Sequence, residues 1–177
     1  IDSESPRALR GDSMARVSSD IAALLLRLAA GAIFLPHGWS KVAGENGVGM
    51  FAADMATNYG IPAFLGYVAA WSELVGGVLL IVGLLTRLDA LLLAGTMFVA
   101  AFIVQLPEAL YEVPPDAIRT FVAMRAIELP LAMFAICVAI LLIGPGRASL
   151  DHLLRIEARI CAILPKKKTA AEAAVLP

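Results

Sequence analysis

An arginine stands inside an apolar run. Residues 21–41 read IAALLLRLAAGAIFLPHGWSK, close to the roughly 20 residues that a helix needs to cross a bilayer. Arg27, Gly31, Phe34, Gly38 and Lys41 recur at offsets 0, 4, 7, 11 and 14, which places them on one stripe of a helix. An arginine on that stripe would cost roughly 2.5–3.5 kcal/mol facing lipid. The stripe therefore has to face other protein, and the arginine asks for an acidic partner on another segment.

The rest of the chain supplies the other segments. Its composition is 60% apolar and its mean hydropathy is +0.83, against about 45–50% apolar residues in soluble domains. The excess sits in four long runs, which makes the fold class all-α: an antiparallel bundle of four transmembrane helices. The pattern predicts helices over 19–39, 63–85, 88–106 and 121–143 within a membrane domain of residues 19–146. Residues 1–18 read as a mobile tail, with Met14 resembling an ordinary start. The first run is too long and too charged inside to be a cleaved signal peptide.

Pro36 is expected to loosen the end of the first helix, and Pro107 to stop the third. In the loop 40–62, Phe51, Met55 and Tyr59 recur every four residues and suggest a short helix on the bundle or membrane surface. Thr86-Arg87 reads as a very short turn, so the third helix returns antiparallel to the second. Pro114 and Pro115 fall in a polar loop over 107–121. Residues 147–164 read as an interfacial amphipathic helix with Leu150, Leu153, Ile156, Ile160 and Ile163 on one face, followed by a basic, Ala-rich tail over 165–177. Most lysines and arginines fall on the side that holds both termini, including Arg16, Arg87, Arg147 and Lys166 to Lys168. Lys41, Arg119 and Arg125 fall on the other. This bias predicts both termini in the cytoplasm.

At about 1.5 Å per residue, Arg27 lies some 10 Å from the cytoplasmic side, Glu73 about 18 Å, and His37 and Glu128 roughly 23–26 Å. Two readings stand beside each other. Structurally, Arg27 with Glu73 and Arg125 with Glu128 are ion-pair candidates, and Lys41 is a snorkelling anchor. Functionally, His37, Glu73, Glu128 and Lys41 line an outer-half pocket that binds a polar head group or relays protons to it. A quinone head group suits such a site, although the spacing does not single it out. The sequence offers no metal site, and its histidines, His37 and His152, lie on opposite sides and cannot share a haem. Cys137 and Cys161 form no CxxC and read as isolated thiols. No basic patch interleaved with aromatics points to nucleic acid.

RLAAGAIFLPHGWSK at 27–41, the Gly-Ile-Pro ending at Pro62, ELVGGVLLIVGLLTRLDALLLA at 73–94, and Glu128 leading into LLIGPGRASLD at 141–151 together resemble the DoxX family. The resemblance covers about residues 20–152. It implies a small four-helix protein of the bacterial inner membrane, associated with membrane redox systems and with other membrane subunits. It implies no intrinsic cofactor. Arg27, His37, Lys41, Glu73, Arg87 and Glu128 fall within the family's motifs, none of which carries a secure catalytic residue.

Overall fold

A computed structural model describes residues 6–45, 47–112 and 117–154, with side chains placed for residue 14, 16–45, 47–111 and 121–154. The elements are α1 (Pro6–Ala43), α2 (Gly47–Tyr59), α3 (Ala63–Val82), α4 (Thr86–Val99), a π-helical segment (Ala100–Gln105), α5 (Leu106–Glu112), α6 (Ala117–Ile143) and the one-turn α7 (Leu150–Leu153). Among the described residues every regular element is helical. Four stretches are long and apolar enough to cross a membrane: Arg16–Ala43, Ala63–Val82, Thr86–Tyr111 and Phe121–Ile143. In the bundle α1 packs on α3, α3 on α4, α4 on α6, and α6 back on α1. Leu25, Val75, Leu88, Leu91 and Leu142 point away from the bundle, as a lipid-facing surface requires.

The stripe on α1 is its seam with α3. Arg27 and Phe34 are buried, as are Gly31 and Gly38. The two helices run antiparallel, and glycines let their backbones touch. A Cβ on Gly38 would overlap the backbone of Glu73 and Leu74, one on Gly31 would come 2.7 Å from the Gly77 carbonyl oxygen, and one on Gly77 would come 3.0 Å from the Leu35 nitrogen. Small residues at such seams replace the hydrophobic driving force that is missing inside lipid. The remaining interior is filled by Ala30, Phe34, Leu80, Leu93, Met97, Met133, Cys137 and Ile140. Cys137 is a buried free thiol, and Cys161 lies outside the described residues.

Several boundaries differ from the sequence-based expectation. α1 starts at Pro6 and runs to Ala43, past Pro36. The proline removes one backbone donor, and nearby side chains add bonds: His37 Nδ1 donates to the Ile33 carbonyl at 2.8 Å and Ser40 Oγ to the His37 carbonyl at 2.8 Å. The third span does not stop at Pro107. Its backbone widens into the π-helical segment, where Leu106 N–H reaches back to the Ala101 carbonyl, so that Pro107 falls in the first turn of α5. A proline is tolerated there because it has no helical bond to lose. α6 begins at Ala117, inside the expected polar loop, and passes through Pro130. The surface helix inferred from Phe51, Met55 and Tyr59 is α2. Its Ala52 is buried against Gly66 of α3, and Tyr59 donates to Glu108 of α5 at 3.2 Å.

The turn between α3 and α4 is Gly83–Leu85, one step before Thr86-Arg87. Gly83 caps α3 at φ +75°, with Gly83 and Leu84 N–H both reaching the Leu79 carbonyl. This is a left-handed cap that glycine adopts without strain. Leu85 follows at φ +52°, a costly conformation for a residue with a Cβ, and Asp151 holds it. The Asp151 carboxylate accepts from Leu85 N–H at 2.7 Å and Thr86 N–H at 2.8 Å, while Asp151 N–H donates to the Gly83 carbonyl at 2.9 Å. Asp151 thus caps the start of α4 from a distant part of the chain. It lies in the first turn of α7, whose start is capped by Ser149. The expected amphipathic helix beyond this point, residues 155–164, and the basic tail lie outside the described residues.

The glycine seam predicts two contrasting substitutions. Gly38→Ala should destabilise the protein by about 1–3 kcal/mol, the usual cost of overpacking. Gly95→Ala fills open space and should leave stability unchanged or raise it by up to about 1 kcal/mol through helix propensity. Thermal unfolding of both variants in one detergent checks the pair.

Candidate functional site

Two polar clusters sit at opposite ends of the α1–α3 seam. The first surrounds Arg27, which is fully buried. The sequence pairs Arg27 with Glu73, but the structure does not. Arg27 Nη2 donates to the Ala148 carbonyl at 2.5 Å, and its Nη1 lies against Gly83. The charge of Asp151 acts on it. The side chain therefore runs toward the Gly83–Leu85 turn, the direction in which a long cation escapes the hydrocarbon centre. Asp20 accepts from Arg147 N–H at 3.0 Å and ties α1 to the same segment. The GPGRASLD stretch is thus a structural knot: Gly144 and Gly146 take φ of +88° and +70°, Ala148 receives Arg27, and Asp151 holds the turn.

The second cluster is at the other end. Glu73 is 2% exposed, and its Oε1 is paired with the Lys41 ammonium in a very short contact. Lys41 also lies over the Phe51 ring, 5.2 Å from its centroid, a favourable cation–π position. The pair forms because the glycine seam lets α1 meet α3 backbone to backbone at Gly38, one turn before Lys41. Lys41 is more than a snorkelling anchor: it neutralises the buried carboxylate that the sequence assigns to Arg27.

Beside this pair lies a cavity of about 80 Å³. Ile33, Phe34, His37 and Lys41 of α1, Glu73 of α3, Met97 of α4, Ala100 and Gln105 of the π-helical segment, and Leu129, Pro130 and Met133 of α6 line it. Two residues of this lining each hold a buried oxygen without a hydrogen-bond partner, Glu73 Oε2 and Gln105 Oε1. His37 sits at the exposed rim. Because its Nδ1 meets a carbonyl, Nδ1 carries a proton there. On the other side of Lys41 a groove of about 360 Å³, formed with Phe51 and Asp54 of α2, leads outward. With water occupying about 30 Å³ per molecule, the cavity takes a few waters, or one polar group and the edge of its ring. A whole six-membered ring needs more space, about 150 Å³ in a cavity that binds benzene. Met97 and Met133 are the adaptable walls.

The structure brings together His37, Lys41 and Glu73, and it leaves Glu128 out. The Glu128 side chain is 58% exposed and pairs with Arg125 at 3.1 Å on the surface of α6. Helical depth alone placed Glu128 beside His37, but depth does not fix the face of a helix. Gln105 was missed as a site residue. Its signal was weak: a single polar residue at the end of an apolar run, brought inward by a π turn that the sequence does not announce. Among the described residues no cluster of His, Cys, Asp and Glu gathers to hold a metal ion.

The contrast between the two ion pairs is measurable. Lys41→Met should destabilise the protein by a few kcal/mol. Removing one partner of a buried pair costs about 3–5 kcal/mol, and the half-open setting of Lys41, 25% exposed, reduces that figure. Adding Glu73→Gln should recover most of the loss, because the uncompensated charge is gone. Glu128→Gln should change stability by less than about 0.5 kcal/mol. Denaturant or thermal unfolding of the set tests this, and a Glu128 effect as large as that at Lys41 would contradict it.

Comparison with known proteins adds the kinship. Residues 22–106 match the family model described as DoxX. The chain is 43% identical over 89 residues to the Bacillus subtilis (strain 168) protein named "Putative oxidoreductase CatD", an alignment covering 50% of this chain and 63% of that protein, which is under two thirds of its length. It is 26% identical over 135 residues to "Inner membrane protein YqjF" of Escherichia coli (strain K12), covering 76% of this chain and 93% of that protein. No solved structure matches the chain. The matched region holds the α1–α3 seam, Lys41, Glu73 and Gln105. Over residues 22–106 the chain carries a DoxX match, and its four apolar spans together with these relatives fit a multi-pass protein of the bacterial inner membrane.

Proposed function

We propose that this protein is an integral membrane component of a quinone-linked redox complex and that the cavity beside Lys41 and Glu73 receives the polar head group of a quinone or another lipid-like ligand. The basic residues near both termini orient the Arg27 end toward the cytoplasm, so the cavity lies in the outer half of the membrane. One observation carries the reading: a carboxylate only 2% exposed, paired through one oxygen and without a partner on the other, belongs to the lining of a cavity between the spans. A buried polar atom left unpaired costs about 1–3 kcal/mol, and an intramembrane ionisable group of this kind marks a functional site by default. His37 and Glu73 are the proton-relay candidates, with Lys41 positioning Glu73. The oxidoreductase wording in the name of the CatD relative supports the redox part of the reading.

A second reading is a non-catalytic accessory subunit. A lipid-facing groove of about 470 Å³ between α3 and α4, with Ala69, Gly95 and Thr96 at its small-residue floor, favours it, since such residues allow close helix contact between membrane proteins. Co-migration with a large assembly on native electrophoresis, with no retained ligand, would select this second reading.

The test of the first is retention. Wild type and Glu73→Gln are purified from native membranes in mild detergent and their bound lipids extracted. The wild type should carry quinone in near-stoichiometric amount and the variant several-fold less. If neither contains quinone, and added quinone alters no measured property, the proposal fails.

A further inference from the structure

The cavity is too small to enclose the whole of a ligand, and its walls differ in how they meet the outside. On the reading that it takes a head group, we infer that the head group enters sideways from the lipid, through a mouth between α1 and α6, and that the ligand is a tailed amphiphile whose chain stays in the bilayer.

Three observations place the mouth. The first is size: the volume of about 80 Å³ is roughly half of what a six-membered ring fills, so the remainder of any ligand projects out of it. The second is exposure. Among the described residues that line the cavity, only His37 of α1 and Leu129 of α6 are exposed, Leu129 by 45%. The walls from α3 and α4, Glu73 and Met97, are buried. The third is depth. Leu129 lies 14 residues before Ile143, the last residue of α6, about 21 Å along the helix in a hydrocarbon layer about 30 Å thick. What projects past Leu129 therefore meets lipid, and only an apolar chain is stable there. The two walls are also the two proline-bearing spans. Pro36 precedes His37 and Pro130 follows Leu129. Neither proline can donate to the carbonyl one turn earlier, so each wall bends more readily than an intact helix. The groove on the far side of Lys41 is the rival route, and it fits less well. It carries Glu45 and Asp54, and Lys41, which lines both spaces, would have to leave Glu73 to open it.

The test uses the full chain in phospholipid nanodiscs. The probe is a 1,4-quinone whose alkyl tail carries a diazirine next to the ring. After photolysis, peptide mass spectrometry locates the adducts that an excess of the untagged quinone suppresses. These adducts should fall on α1 around Ile33 and on α6 around Leu129. Leu129→Trp, which fills the mouth, should lower the suppressible labelling several-fold. Leu131→Trp should leave it unchanged, because Leu131 is also exposed but points about 200° away on the same helix. Both variants should keep the wild-type unfolding temperature within a few degrees. Suppressible adducts on Met50 and Phe51 of the rival groove, or equal labelling of the two tryptophan variants, overturn the lateral route and leave the head-group site standing. No suppressible labelling anywhere overturns both.

Discussion

The contact between the backbones of α1 and α3 governs the molecule. Gly31, Gly38 and Gly77 bring two membrane helices to a separation that any Cβ would prevent. Inside lipid there is little hydrophobic gain in pushing helices together, so packing and polar bonds must hold them. The close seam supplies the packing. It also fixes the height at which charged residues of α1 meet those of α3, and so decides which pair forms. Lys41 reaches Glu73 because Gly38 lets the helices touch there. Arg27 is delivered to the Gly83–Leu85 turn at the other end.

The two polar clusters then have different characters. Around Arg27, the acceptors and donors are largely backbone groups: the Ala148 carbonyl, the Gly83 carbonyl, and the N–H groups of Leu85 and Thr86 held by Asp151. This arrangement fastens the chain after α6 to the α3–α4 turn. Around Glu73 the partners are side chains, one carboxylate oxygen has no partner, and a cavity is present. Each end also holds buried side-chain atoms without a partner, Arg27 Nε and Nη1 and Thr86 Oγ1 at one and Glu73 Oε2 at the other. The bonds at the Arg27 end tie distant segments of the chain together, whereas the Glu73 end borders a cavity between the spans, and on that ground the Glu73 end is the proposed site.

The sequence revealed the spans, the antiparallel order and the α1 stripe, because apolar run length and helical periodicity act locally. It also revealed that Arg27 and Glu73 could not face lipid. It did not reveal their partners. Depth along a helix is a one-dimensional estimate, and it placed Arg27 within reach of Glu73 and Glu128 beside His37. The outcome depended on azimuth and on side-chain direction, which follow from the three-dimensional seam. The π-helical segment was similarly hidden. Pro107 signals a break when read locally, yet a one-residue widening upstream absorbs it and turns Gln105 inward. The conformation at Leu85 was also invisible, since a leucine carries no turn signal and is held there by Asp151, 66 positions away.

The central claim is that the cavity lined by Glu73 and Gln105, each with an unpaired oxygen, is an occupied site. An experimental structure determined in lipid nanodiscs with material purified from native membranes addresses it directly. The account predicts Lys41 on Glu73 Oε1 and ligand density within hydrogen-bonding distance of Glu73 Oε2 and Gln105 Oε1. A Glu73 carboxylate turned away from the cavity, or a cavity closed by side chains with no density inside, would contradict it.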